Sequence, residues 1–359
     1  MTRTVLFAEV ADFYAAIERG EEPGGDPRPV IVGGDPRRRG LVQAATPDAH
    51  AAGVRVGMPV LEALRLCPRA RAVRTDLSRY REVSRRLFAG LRRGFDRLEP
   101  FGLGAAYFDV TRTSDAPEAI AARLAAAVRE DLGLSLRIGI ASGKFLARLA
   151  AEEGESEPGG GGVHRVAAGH EANFLHPLPA SRLEGVGRKT AATLAELGAT
   201  TIGEVVALGR ERLEQAFGTH GLRIFACASG ADDLPVRAVR HPQSLSREAI
   251  VRGEPLDVVA LGERLFDLAR HLEGELELEQ LSAGKVSLKV RYADQTAITR
   301  SRTLSSPVTR AGEIQDVAAE LLTRTQAGSR PVRGLGIQLA RLLPAGETGR
   351  QLDLFNPRR

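Results

Sequence analysis

The run Val5-Leu6-Phe7-Ala8-Glu9-Val10 constrains this chain more than any other segment, because it is almost continuously apolar. A short run of that kind reads as a buried strand. Asp12 can cap a helix whose apolar positions (Phe13, Ile17 and their neighbours) repeat at helical spacing. Pro29 to Gly34 is a second short strand ended by glycines, and residues 35 to 74 read as helical and irregular. Helical spacing returns from Leu77 to Phe95. Phe101-Gly102-Leu103-Gly104 then turns into Ala105 to Val110 like a hairpin. A helix at Pro117 to Leu132, a strand at Leu134 to Ala141 and a helix at Gly143 to Ala151 lead to an acid- and Gly-rich loop at Gly154 to Gly162. This order predicts an α/β fold, a mixed sheet with helices packed on it.

The rest of the chain divides again. Residues 175 to 230 read as helices with short Gly-containing turns, and Ala231 to Pro242 as a linker. Strands at 244–251, 285–292 and 296–304, helices at 255–274 and 311–326 and a last strand at 334–342 predict a second α/β unit. A length of 359 residues agrees with two or three domains. Hydrophobic residues at 43% and charged residues at 26% exclude long disorder and collagen-like order. No apolar run approaches the ~20 residues of a membrane helix, and the N-terminus has no leader pattern, so a cytoplasmic protein is expected. Cys67 and Cys227 are too few for a disulfide framework or a four-thiolate metal site, and read as buried, inert thiols. The seven histidines show no ligand spacing; His164, His170 and His176 are expected in exposed loops. The net charge of +5 permits a nucleic-acid partner. It does not demand one, since only four of the fifty basic residues are lysine, an arginine excess that reflects GC-rich coding.

Two local motifs carry more chemistry than the charge. In Leu183-Glu184-Gly185-Val186-Gly187-Arg188-Lys189-Thr190-Ala191, two glycines form a tight turn between helices. Gly185 and Gly187 let the backbone approach a DNA phosphate, N–H groups at the next helix N-terminus can bind it, and Arg188 and Lys189 add charge. The segment looks like a helix-hairpin-helix, which grips the nucleic-acid backbone without reading sequence. The second motif is Gln351-Leu352-Asp353-Leu354-Phe355 on a polar, Gly-containing tail. Exposed apolar residues on a tail point to a partner groove. The pentapeptide resembles the motif by which bacterial polymerases bind the sliding clamp, with Leu354 and Phe355 in an apolar pocket and Gln351 at its rim.

With these motifs, the chain resembles the Y-family translesion DNA polymerases along nearly its whole length. Phe7-Ala8-Glu9-Val10-Ala11-Asp12-Phe13-Tyr14-Ala15-Ala16-Ile17-Glu18 matches the opening motif. Gly53-Val54-Arg55-Val56-Gly57-Met58-Pro59, with Glu62-Ala63 and Cys67-Pro68, matches the finger region. Ala106-Tyr107-Phe108-Asp109-Val110-Thr111 matches the second palm motif, and Gly139-Ile140-Ala141 with Lys144 to Ala151 the third. The resemblance implies a right-hand architecture. The palm would be 1–25 and 76–168, the fingers 26–75, the helix-hairpin-helix thumb 169–232, a linker 233–242, the little finger 243–343, and a flexible clamp-binding tail 344–359. In the little finger, Lys285, Lys289 and Arg291 are candidate DNA contacts. Residues 236 to 345 carry 16 Lys or Arg against 13 Asp or Glu, so the positive side must lie on one face.

The departures from the family pattern are concentrated at its active site. The family holds two Mg²⁺ ions with an Asp in the opening motif and an Asp-Glu pair in the second, carboxylates that bridge ions ~3.5–4 Å apart. Here those positions are Glu9, Gly104 and Ala105, and the following Asp of the opening motif is Ala11. The Tyr and Arg that meet the triphosphate fall on Pro47 and His50, and a triphosphate-binding Lys falls on Glu155. Tyr14 occupies the sugar-gating position but is expected to be a packed aromatic. The remaining carboxylates are Glu9, Asp12, Asp48 and Asp109. The resemblance therefore implies no cofactor and no catalysis, as in the inactive Y-family subunit of the bacterial mutasome. Such a protein would bind primer–template DNA, the sliding clamp and a catalytic translesion polymerase. The alternative is an unusual polymerase, using Mg²⁺ on Glu9 and the other carboxylates.

Overall fold

The computed structural model describes residues 3–20, 28–93, 95, 97–154, 161–232, 234–237, 242–251 and 258–345. The chain divides into two compact units, Met1–Arg240 and His241–Arg359. The first unit opens with β1 (Val5–Glu9), α1 (Phe13–Arg19), β2 (Val30–Gly33), β3 (Val42–Ala45), α2 (Pro47–Ala51), α3 (Val60–Leu66) and β4 (Arg71–Arg74). It continues through α4 (Leu77–Arg92), β5 (Leu98–Phe101), β6 (Ala105–Asp109), α5 (Pro117–Leu132), β7 (Arg137–Ala141), α6 (Lys144–Glu153) and β8 (Gly162–Arg165). Five helices close it: α7 (Glu171–Leu175), α8 (Arg188–Glu196), α9 (Ile202–Leu208), α10 (Arg210–Phe217) and α11 (Thr219–Ala228).

A five-stranded sheet of order β5-β6-β1-β7-β8 places β1 at its centre. That position explains the continuous apolar run, because β1 is covered on both faces. Leu6, Ala8 and Val10 join one core with Leu87, Phe88, Ile120 and Leu124 of α4 and α5. Val5 and Phe7 join another with Phe145 and Leu149 of α6 and with the α8–α11 helices. Helix α6 lies so close to β7 that a Cβ at Gly139 would stand 1.9 Å from the Ala147 carbonyl oxygen. Only glycine permits that approach.

Residues 35–74 are not predominantly helical. They hold β3, β4, two short helices and a 3-10 turn at Pro36–Arg38. Strands β3 and β4 flank β2 in a separate three-stranded sheet. Its small core includes Ile31, Val42, Ala45, Val54, Val60 and Cys67. These strands have only four residues each, too few to show a period in sequence. His164 is not in a loop but on β8, half-buried, with its ring 5.8 Å from that of Phe174. Cys67 is buried, and Cys227 is half-buried, with burial pushing its thiol up to about 11.

Part of the expected linker is fixed to the first unit. Val236 is buried in its core, the Arg237 N–H donates to Glu99 Oε2 at 2.8 Å, and the Phe145 N–H donates to Asp232 Oδ2 at 2.6 Å. The carboxylate of Asp232 thus meets the open amides at the start of α6.

The second unit contains β9 (Ser244–Ile250), α12 (Val258–Glu279), β10 (Leu281–Tyr292), β11 (Ala297–Val308), α13 (Ala311–Thr323) and β12 (Val332–Pro344). It is an antiparallel sheet of order β11-β10-β12-β9. One face packs on the helices through Val286, Leu288, Val290, Leu335 and Ile337, with Leu265, Leu272, Ile314 and Leu321. Helix α12 runs five residues past the expected end at 274, because Leu276 continues the buried stripe. No helix of the described residues is long and apolar enough to cross a membrane.

Candidate functional site

The pairing of β1 with β6 sets Glu9 directly opposite Ala105. The Val10 N–H donates to the Gly104 carbonyl at 2.8 Å. The three expected catalytic positions therefore meet at one end of the central sheet. The next strand adds a group that sequence reasoning missed. β7 sets Arg137 opposite Glu9, and Arg137 Nη2 donates to Glu9 Oε1 at 2.8 Å. Burial pushes the Glu9 carboxyl above its ordinary value, and the Arg137 guanidinium opposes that shift.

The space beside Gly104 is also filled. A Cβ at this position would lie 2.7 Å from the Cγ and Cδ2 atoms of Phe13. Phe13 is buried. A pair of magnesium ions does not fit these residues: two of the three positions offer no side-chain ligand, and the third carboxylate is engaged by a guanidinium. Of the other carboxylates, Asp12 lines the cleft beside Gly104, and Asp48 and Asp109 lie elsewhere. Asp48 is ion-paired with Arg19. Asp109 lies at the far end of β6, opposite Val5, and accepts from the Thr111 N–H at 3.1 Å. No group of three His, Cys, Asp or Glu side chains able to hold a metal occurs among the described residues.

Asp12 does not cap α1 with its side chain. It sits in the left-handed region at φ 48°, which aspartate tolerates better than most residues. Its Oδ1 lies 3.2 Å from His50 Nε2, while His50 Nδ1 lies 2.9 Å from the Val54 carbonyl oxygen. His50 is thus held between its own segment and the start of α1. Pro47 starts α2 and is exposed. Tyr14 stacks on buried Tyr80, with ring centroids 4.4 Å apart and planes 13° from parallel. The cleft lined by Asp12, Phe13, Tyr14, Gln43, Leu103 and Gly104 has a volume of about 220 Å³. Glu155 lies outside the described residues.

Around Gly185 the expected turn is present, with one difference. The element before it is a single 3-10 turn at Ala180–Arg182, not an α-helix. Leu183 and Val186 anchor the hairpin in the core. Gly185 has φ 84°, and a Cβ there would meet His220 Cε1 at 2.8 Å, so a side chain is disfavoured twice. Gly187 is the N-cap of α8 and supplies no side-chain cap. The first amides of α8 have no intrahelical acceptor. Gly185, Gly187, Arg188 and Lys189 are exposed and Thr190 is half-buried, so a ligand can reach these amides and both cations.

In the second unit, Lys285, Lys289 and Arg291 share the face of β10 that points away from α12 and α13, alternating with buried Val286, Leu288 and Val290. Their cross-strand neighbours are small or polar: Thr303, Thr299 and Ala297 on β11, and Ala340, Gly336 and Gly334 on β12. The face is not purely basic. Glu248 of β9 accepts from Lys289 Nζ at 2.8 Å, and its other oxygen lies 3.7 Å from Arg291 Nη2. Gln351, Leu352, Leu354 and Phe355 lie outside the described residues.

Residues 9–152 match the impB/mucB/samB family, and residues 242–354 match the C-terminal domain of that family. DNA polymerase IV of Halorhodospira halophila is 34% identical over 357 residues, covering 99% of this chain and 98% of that protein. DNA polymerase IV 1 of Bacillus subtilis is 32% identical over 366 residues, covering 99% of this chain and 86% of that protein. Among solved structures, a Y-family DNA polymerase chimera of Dbh with a Dpo4 segment superposes with a TM-score of 0.80 at 23% identity, covering 95% of this chain and 99% of that one. DinB from Sulfolobus solfataricus superposes with a TM-score of 0.68 at 22% identity, covering 94% and 98%. The fold of the chain is that of these polymerases, with a catalytic-type region followed by a little-finger domain.

Proposed function

Because the chain belongs to the Y family of DNA polymerases, we propose that it binds primer–template DNA without catalysing nucleotide transfer. In this reading it is an adaptor in translesion synthesis, akin to the inactive Y-family subunit of the bacterial mutasome. It brings DNA, the sliding clamp and a catalytic polymerase together. The observation that carries the reading is the state of the three metal-ligand positions: Gly104 and Ala105 have no carboxylate, and Glu9 is paired with Arg137. A primer-extension assay tests it. The names of the relatives favour the second reading, an active polymerase, and the same assay separates the two.

DNA binding of this kind is sequence-independent and weakens with salt, because each phosphate contact releases counterions. The exposed Gly187–Lys189 segment offers two cations and open amides. Replacing Arg188 and Lys189 together by Ala is expected to flatten the plot of log affinity against log salt by about one to two contacts. Fluorescence anisotropy with a labelled duplex at several salt concentrations measures this. An unchanged slope would put the contact elsewhere.

The clamp-binding part of the proposal rests on the tail sequence. A short apolar segment must offset its own ordering entropy on binding, so its affinity rests on a few anchors, each costing about 1–3 kcal/mol on truncation. Leu354→Ala with Phe355→Ala is expected to abolish binding to purified clamp in calorimetry and to leave DNA affinity unchanged. Equal clamp affinity for the variant and the parent would exclude the pentapeptide as the ligand.

A further inference from the structure

The basic face of the second unit carries its own counter-charge, and a glycine makes the arrangement possible. Glu248 on β9, Gly336 on β12 and Lys289 on β10 lie side by side in register across three strands. To reach Lys289, the Glu248 side chain must cross the middle strand. It does so over the bare backbone of Gly336, where a Cβ would stand 2.7 Å from Glu248 Cγ. The carboxylate ends 2.8 Å from Lys289 Nζ and 3.7 Å from Arg291 Nη2. It lies in a hollow of about 270 Å³ that Gln295 and Arg333 also line. A carboxylate held by two cations offers them what a phosphodiester would, a delocalised anion with two terminal oxygens.

We propose that Glu248 is an internal competitor for the DNA backbone: it occupies the Lys289–Arg291 site in the free protein and gives way to a phosphate when DNA binds. The proposal rests on the reading of this sheet as a DNA face. Displacement is feasible because all three side chains are about half exposed, and ion pairs between groups that water can reach hold weakly. The consequence is a built-in ceiling on affinity. Lys289 and Arg291 add to DNA binding only the difference between a phosphate and the carboxylate they already hold.

The test is a double-mutant cycle on the full chain, with a labelled primer–template duplex followed by anisotropy over a range of salt. Glu248→Gln keeps the shape and removes the charge, so it is expected to bind about two- to fivefold tighter at low salt with a salt slope steeper by about one contact. Lys289→Ala is expected to weaken binding more in the Glu248→Gln background than in the parent, because only there is Lys289 free for phosphate. Unchanged affinity and slope for Glu248→Gln, with Lys289→Ala weakening both backgrounds equally, would overturn the competitor role and leave the DNA face standing. No effect of Lys289→Ala in either background, with DNA still bound, would overturn the DNA face and the competitor together.

Discussion

Incubated with primer–template DNA, deoxynucleotides and either Mg²⁺ or Mn²⁺, the protein is expected to extend no primer above background. In two-metal phosphoryl transfer the ions hold and polarise both the attacking and the leaving oxygen, a stabilisation of several kcal/mol. At ~1.4 kcal/mol per tenfold, its absence corresponds to at least about a thousandfold in rate. Gly104→Asp with Ala105→Glu is expected not to restore activity. The new Asp Cβ would press on the ring of Phe13, which lies 2.7 Å from that point, and Arg137 would still hold Glu9. Pro47 and His50 would still fail to meet a triphosphate, since proline has no side-chain donor and His50 is engaged by Asp12 and the Val54 carbonyl. Robust extension by the unmodified protein, abolished by Glu9→Ala, would instead establish an active polymerase.

Glu99→Ala is expected to destabilise the first unit by about 3–5 kcal/mol, the typical cost of leaving one partner of a buried ion pair alone. Glu99 Oε1 and Oε2 each accept from Lys144 Nζ at 2.8 Å, and the two side chains are only 6% and 15% exposed. The Lys144 ammonium also lies 4.6 Å from the centre of the Tyr107 ring. Glu99 further accepts from the Arg237 N–H, so the substitution releases the segment after α11 as well. Urea denaturation monitored by far-ultraviolet circular dichroism reads the shift in the transition of this unit. Glu99→Gln with Lys144→Met is expected to lose much less than Glu99→Ala alone, because removing both charges leaves neither stranded. A loss below about 1 kcal/mol for Glu99→Ala would show that water reaches Lys144 and screens the charge.

Much of the fold is legible in the residues. The Val5–Val10 run, the helical spacing of Leu77–Arg92 and Pro117–Leu132, and the Gly102 turn each identify an element through local periodicity or turn chemistry. The β6, β1 and β7 strands of the five-stranded sheet, the turn at Gly185–Gly187 and the four-stranded sheet of the second unit lie where those signals indicate. The strands within residues 35–74 escape such a reading because four residues carry no measurable period. β8 escapes it too, because its burial alternates over only four residues, Gly162 to Arg165.

At the candidate site the division follows a physical line. Residue identity alone determined that Gly104 and Ala105 have no side chain to ligate an ion, that Pro47 cannot donate a side-chain hydrogen bond, and that Arg188 and Lys189 come directly after a glycine turn. These are properties of single side chains or of neighbours in the chain. Only the tertiary structure decided that Arg137, 128 positions from Glu9, would neutralise it, that Phe13 would fill the space beside Gly104, that Asp12 would turn from its helix to His50, and that Glu248 would cross Gly336 to Lys289. Each of those pairings depends on strand register or on the approach of separate elements. Register is a cooperative result of burying apolar faces over the whole sheet, so it has no local signature in the residues it brings together.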